Sequence, residues 1–288
     1  MHAFKTIGVN TPDREIQPFN KIKPSVNGAF GLSFNPNGKL NAKINFSSGF
    51  RSGNLAELSS NGLHEGTLRW EIGDPNLNIE QNINSESSVN YNRKNISLSL
   101  ALFYNYFSNY IFLSATGTQY LGFDVFRFRQ SDANLYGGEA SFSIHPAKLT
   151  WFNYKAEFST VTGKLSNGNF LPFIPPAKLH NEVTLSLNQT KKNNHFSFNV
   201  NTDNIFAQTH PAQFETGTSA YFLLNAGGSL IIYKVKRSIT ISIAANNVLN
   251  KNYYDHLSRF KEYRIHNTGR NIALNINYPF LIKQKTKK

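Results

Sequence analysis

Cysteine is absent from the 288 residues, methionine occurs once and tryptophan twice. No disulfide can form, so rigidity has to come from backbone pairing and packing. No apolar run approaches the ~20 residues of a membrane-spanning helix, and the mean hydropathy is −0.39. This excludes a helical membrane protein but not a membrane built of strands, whose residues are half polar. Acidic residues are scarce as well, 17 against 30 Lys and Arg, for a net charge of +13. That excess would suit nucleic acid, but the cations sit at short turns (Arg93-Lys94, Lys191-Lys192, 234–237) and in the tail Lys283–Lys288. No basic helix or phosphate-cradling loop accompanies them, so no nucleic-acid partner is expected.

What the chain has is alternation. Ile96, Leu98, Leu100, Leu102, Tyr104 and Tyr106 share one parity, with Asn95, Ser97, Ser99, Ala101, Phe103 and Asn105 on the other. Successive strand side chains point to opposite faces, so each such run has one apolar and one mostly polar face. Leu40–Phe46 and Ile272–Phe280 repeat the pattern. Tyr and Phe gather toward strand ends, and Asn, Ser and Lys fall far from any turn. That is the signature of a transmembrane antiparallel β-barrel, lipid outside and polar lumen inside.

Period-2 runs and breakers predict an all-β chain of about eleven strands, near 24–34, 39–50, 80–92, 95–113, 122–144, 149–162, 177–189, 194–206, 220–233, 238–248 and 268–280. Short turns are expected at 35–38, 93–94, 145–148, 190–193 and 234–237. Mostly longer loops are expected at 51–79, 114–121, 163–176, 207–219 and 249–267. Sorting connections by length onto opposite ends is the outer-membrane arrangement, long loops outside the cell. Gly137-Gly138 predicts a bulge or bend. Residues 1–23 read as a lead-in segment without a secretory h-region, 24–280 as barrel, and 281–288 as a basic tail. An odd strand number and the missing signal lead to the expectation that this is part of a longer protein.

Three stretches resemble TonB-dependent outer-membrane receptors. The first is Gly49-Phe50-Arg51-Ser52-Gly53-Asn54-Leu55-Ala56-Glu57-Leu58 with Gly73-Asp74-Pro75-Asn76-Leu77-Asn78-Ile79-Glu80. The second is Tyr136-Gly137-Gly138-Glu139-Ala140. The third is Asn246-Asn247-Val248-Leu249-Asn250-Lys251-Asn252-Tyr253-Tyr254, then Gly269-Arg270-Asn271 and Tyr278-Pro279-Phe280. The resemblance implies the C-terminal half of a 22-stranded barrel in the Gram-negative outer membrane. It further implies a plug domain, a TonB complex acting through that plug, an N-terminal half of the barrel and the barrel-assembly machinery as partners. Ser52-Gly53 and Ile79 depart from the family pattern, as does the tail after Phe280. Asn61–Gly66 and Tyr254-Asp255-His256 look most like the branch linked to zinc or haem uptake.

Loop histidines offer the plainest chemistry. His64, Glu65, His210, Asp255, His256 and His266 are candidate ligand-binding residues, with His64 and His256 the candidate metal ligands. Imidazole and carboxylate suit Zn²⁺, although no histidine pair has i, i+2 or i, i+4 spacing and each is equally an ordinary polar loop residue. For haem, Tyr253, Tyr254 and Tyr263 would add stacking faces. His180 and Glu182 share the polar side of one strand and are placed in the lumen, as a secondary binding step or a hydrogen-bonded pair. Lys43, Lys155 and Glu157 are placed there too, to hold an anionic chelate or to meet the plug. No resident cofactor is expected; the transported ligand would be zinc, haem or an iron chelate. An enzyme is not expected, since the best catalytic grouping is Ser141 and Ser143 near His145, without a motif. A passive or structural barrel, a non-functional receptor fragment and a soluble all-β binding protein stay open as alternatives.

Overall fold

In the computed structural model, residues 26–189, 194–234 and 237–280 are described, together with the backbone of the short strands His2–Lys5, Asn10–Thr11, Arg14–Glu15 and Asn20–Lys23. The expected turn 190–193, the centre of the expected turn 234–237 and the tail 281–288 lie outside the described residues.

Eleven strands follow one another in a continuous antiparallel path. They are β1 (Ala29–Phe34), β2 (Leu40–Arg51), β3 (Glu80–Arg93), β4 (Ile96–Tyr120), β5 (Phe123–Ile144), β6 (Phe152–Leu165), β7 (Lys178–Gln189), β8 (Asn194–Ile205), β9 (Tyr221–Lys234), β10 (Arg237–Asn246) and β11 (Asn271–Asn277). Each pairs with its sequence neighbour, and among the described residues the sheet does not close: β1 and β11 are its edges. Two further short strands, Asn61–His64 and Arg69–Ile72, form a hairpin in the connection after β2, and Arg69–Ile72 pairs in parallel with the start of β5.

Side-chain alternation explains why this sheet lacks a core along its wall. Phe30, Leu32, Ile44, Phe46, Leu98, Leu100, Leu102, Phe158, Phe196, Phe198 and Leu274 are all exposed on one face. A soluble sandwich would cover such a face with a second sheet; among the described residues nothing covers it. The opposite face is polar, and the register aligns Ser99, Ser141, Glu157, His180 and Asp203 across five strands.

Two expectations are corrected. Residues 114–121 are not a loop: β4 continues to Tyr120 and turns through Leu121 and Gly122, both at positive φ (50° and 80°). Positive φ at both central positions makes the tight hairpin turn that suits strand twist. The small polar run Ser114–Thr118 looks like a loop in sequence, but a bulge between Ala115 and Gln119 absorbs it, and Thr116 Oγ1 donates to the Val125 carbonyl at 2.9 Å. Gly137-Gly138 is not a bulge: the register runs unbroken through both residues on either side. Glycine is required there for close approach, because a Cβ on Gly137 would run into the Thr160 carbonyl and the Phe103 ring.

Candidate functional site

The long connections all leave from one end of the sheet, and the structure fixes their bases with side chains from the three stretches quoted above. Asn54 caps the short helix α1 (Leu55–Ser59): its side chain accepts from Glu57 N at 2.9 Å, while the Glu57 carboxylate accepts from Asn54 N at 2.8 Å. That reciprocal capping box satisfies two donors at the helix start. Arg51 Nη1 then reaches the same carboxylate at 2.9 Å, and its Nε donates to Glu80 at 3.0 Å. Glu57 and Glu80 are buried, so a fork-shaped cation between them is needed to offset their desolvation. Leu58 and Leu77 pack on Ile111 and Phe128 beneath this network. Gly73 lies against the end of the helix, where a Cβ would be 2.7 Å from Ser59 N and Ser60 N. At the far side Asn247, buried and at φ 49°, binds the Lys251 and Thr268 carbonyls through its amide and accepts from Lys251 N at 2.8 Å. Asparagine is among the few residues that tolerate this conformation.

Held this way, residues from the hairpin after β2, the tip of β4–β5 and connections 166–177, 206–220 and 247–270 enclose a cavity of about 540 Å³. Its apolar wall includes Leu68, Phe126, Phe173, Phe214 and Tyr263; its polar wall includes Arg69, Asp124, Glu215, Arg259, Lys261 and Glu262. Leu68, Phe173 and Phe214 stand at φ of 50°, 60° and 64°. Bulky residues rarely occupy that region, at a cost of about 1–3 kcal/mol each, and such outliers gather at functional sites. Arg69 lies 4.9 Å from the Phe126 ring centre and pairs with Glu71 at 2.7 Å.

Glu215 ties the connections together. It accepts from Phe173 N at 3.1 Å and Ala212 N at 3.0 Å, and His256 Nε2 approaches it at 3.4 Å, outside hydrogen-bond geometry. Burial would raise its pKa, but the His256 imidazole and these two backbone donors outweigh burial and hold the carboxyl below its ordinary range. His256 Nδ1 meets Thr218 Oγ1 at 3.2 Å. Thr216 adds a bond to Glu262 and accepts from Lys261, and Arg259 reaches the Gly66 carbonyl.

Of the candidates named from sequence, His256 and Tyr263 line the cavity, and the His256 side chain is 1% exposed. His64 is exposed and bonded to Thr67 Oγ1 at 3.0 Å; Glu65 is exposed beside it. His210 packs on Phe170 with ring centres 4.7 Å apart, and His266 stacks on Tyr254 at 4.4 Å. Asp255 accepts from Leu257 N at 2.9 Å and shapes its own turn. Burial, and then Asp255 and Asp203, raise the Tyr253 pKa. Among the described residues no group of three or more His, Asp or Glu side chains is placed to hold a metal ion. On the polar wall His180 and Glu182 are not joined as a pair: His180 bonds Asp203 at 2.8 Å and Glu182 accepts from Thr184 at 2.9 Å. Lys155 and Glu157 pair with each other at 2.7 Å, and Lys178 pairs with Asp203. Arg69, Phe173, Phe214 and Glu215 carried no local sequence signal, because only the fold brings their three segments together.

The family model described as "TonB dependent receptor-like, beta-barrel" matches residues 4–248. The chain belongs to this TonB-dependent receptor barrel family. The match begins inside the segment read as a lead-in and ends before β11. Among solved structures, the copper transporter OprC superposes with a TM-score of 0.74 at 16% identity, covering 88% of this chain and 39% of its own. The FrpB iron transporter from Neisseria meningitidis gives 0.65 at 13%, covering 91% and 40%. The siderophore receptor PirA from Acinetobacter baumannii gives 0.60 at 14%, covering 88% and 41%. At such identities the likeness is one of fold, and this TonB-dependent receptor chain spans about two fifths of those proteins. Ser141 and Ser143 face Glu157 and Lys155 in register across β5 and β6.

Proposed function

We propose that this chain forms part of the wall and the ligand-binding mouth of an outer-membrane receptor for energy-coupled uptake of a metal ion, haem or metal chelate. The single observation that carries this is the convergence of all the long connections on one cavity, at one end of a sheet whose other face is exposed and apolar. The exposed face meets outer-membrane lipid, and the polar face lines the lumen. A plug moved by the TonB complex, further barrel strands and the assembly machinery are the partners this reading needs. The chain does no chemistry; it binds and seals.

Within that reading the cavity favours a chelate or haem over bare zinc. His256 is buried with its Nδ1 on Thr218 and its Nε2 facing Glu215, His64 stands outside the cavity, and the walls are aromatic. The test is growth of a strain lacking the receptor, under metal limitation, on haem, on ferric chelates and on zinc salts. Restoration by the intact receptor, lost when TonB is removed, is expected for at least one chelate or haem. Restoration independent of TonB would favour a passive barrel, and none at all would sink the proposal.

A further inference from the structure

The cavity has a distinct chemical character that narrows its cargo, and the narrowing rests on the transport reading above. Leu68, Phe173 and Phe214 reach it from three different connections, each in a left-handed backbone conformation that bulky side chains rarely adopt. The backbone is held against its preference so that apolar surface is presented to the cavity. The charges around it balance: Arg69, Arg259 and Lys261 stand against Asp124, Glu215 and Glu262. The cations are also engaged, Arg69 with Glu71, Arg259 with the Gly66 carbonyl and Lys261 with the Thr216 carbonyl. Three cations against three carboxylates offer a polyanion no net positive charge, and a bare cation finds no cluster of donors among the described residues. A volume of about 540 Å³ fits a small organic molecule.

We infer that the cargo seated here is an uncharged or zwitterionic organic chelate that presents apolar surface to Leu68, Phe173 and Phe214. It is neither a bare metal ion nor a polyanion.

The experiment uses the whole purified receptor in detergent, without energised transport. Four probes are titrated: a neutral ferric trihydroxamate, a trianionic ferric triscatecholate, haemin and zinc chloride, each at about 0.05 M and about 0.5 M salt, which span strong and weak screening. The neutral chelate is expected to bind tightest, with less than about a twofold change in affinity between the two salts. Phe173→Gly and Phe214→Gly relieve the backbone while deleting the ring. Each is expected to leave thermal stability unchanged or raised and to weaken the neutral chelate about tenfold, the scale of one lost aromatic contact. Tightest binding of the triscatecholate or haemin with steep salt dependence, tightest binding of zinc alone, no binding of the neutral chelate, or glycine variants of unchanged affinity would each overturn the inference. Uptake that survives in the growth test while binding follows one of those patterns leaves transport standing and removes only this inference. Loss of TonB-dependent growth removes the transport reading itself.

Discussion

Single residues decide whether the mouth exists. Arg51 neutralises two buried carboxylates, Glu57 inside the twenty-eight-residue connection 52–79 and Glu80 just after it, so Arg51→Ala leaves both charges without their partner. A cost of about 2 kcal/mol is expected, below that of breaking a fully buried pair because the guanidinium is partly exposed. Limited proteolysis should cut connection 52–79 faster in that variant while the wall stays protected. Glu215 supports a second prediction. Its pKa is lower in the folded protein than in the unfolded chain, so its contribution is fully present above the unfolded value. That contribution is lost as pH falls through the folded value, and neutral or mildly acidic conditions should leave the latch closed. Amide exchange at Phe173 and Ala212, corrected for intrinsic pH dependence, should rise only in strong acid. Glu215→Gln should raise it already at neutral pH; equal protection in that variant would show that the carboxylate does not hold the latch. The capping box at Asn54 and Glu57 was legible in principle, since Asn followed three residues later by Glu marks a helix start. Glu215 was not, because its Ala212, Phe173 and His256 partners come from three separate connections.

At the scale of elements, strands were read well and the connections poorly, for one physical reason. A strand writes its two environments into adjacent residues, so all eleven wall strands could be located from period-2 runs. A connection is shaped by what it lands on. Residues 114–121 carried loop-like composition and yet extend β4, because a bulge takes up the extra residues and β5 supplies partners. Gly137 and Gly138 carried the signature of a bulge and yet sit in regular pairing, because the Phe103 and Leu102 side chains use the space left free. Gly137→Val therefore should not straighten the strand but separate β5 from β6. A loss of at least about 3 kcal/mol, the upper end of ordinary overpacking, is expected. Intact receptor should fall in outer-membrane fractions; a level equal to wild type would show that the wall yields there at little cost.

For the molecule as a whole, the apolar face and the open edges set the terms. Among the described residues, backbone groups on β1 and β11 have no hydrogen-bonding partner strand on their outer sides. In hydrocarbon each unsatisfied group costs several kcal/mol, so this sheet by itself is not a stable membrane structure. Refolded alone in detergent, the chain should give no heat-modifiable, protease-resistant species, and such a species on a gel would contradict the open-edged wall described above. The edges also carry directional information. With eleven antiparallel strands between connections sorted by length, Ala29–Phe34 and Asn271–Asn277 point the same way across the membrane. Joining them directly would make a parallel seam, and so would a ring of two copies standing side by side. Inverting one copy would restore antiparallel seams only by sending its long connections to the opposite side of the membrane. A seam that is antiparallel throughout, with every long connection on one side, takes an odd number of additional strands, whichever chain provides them.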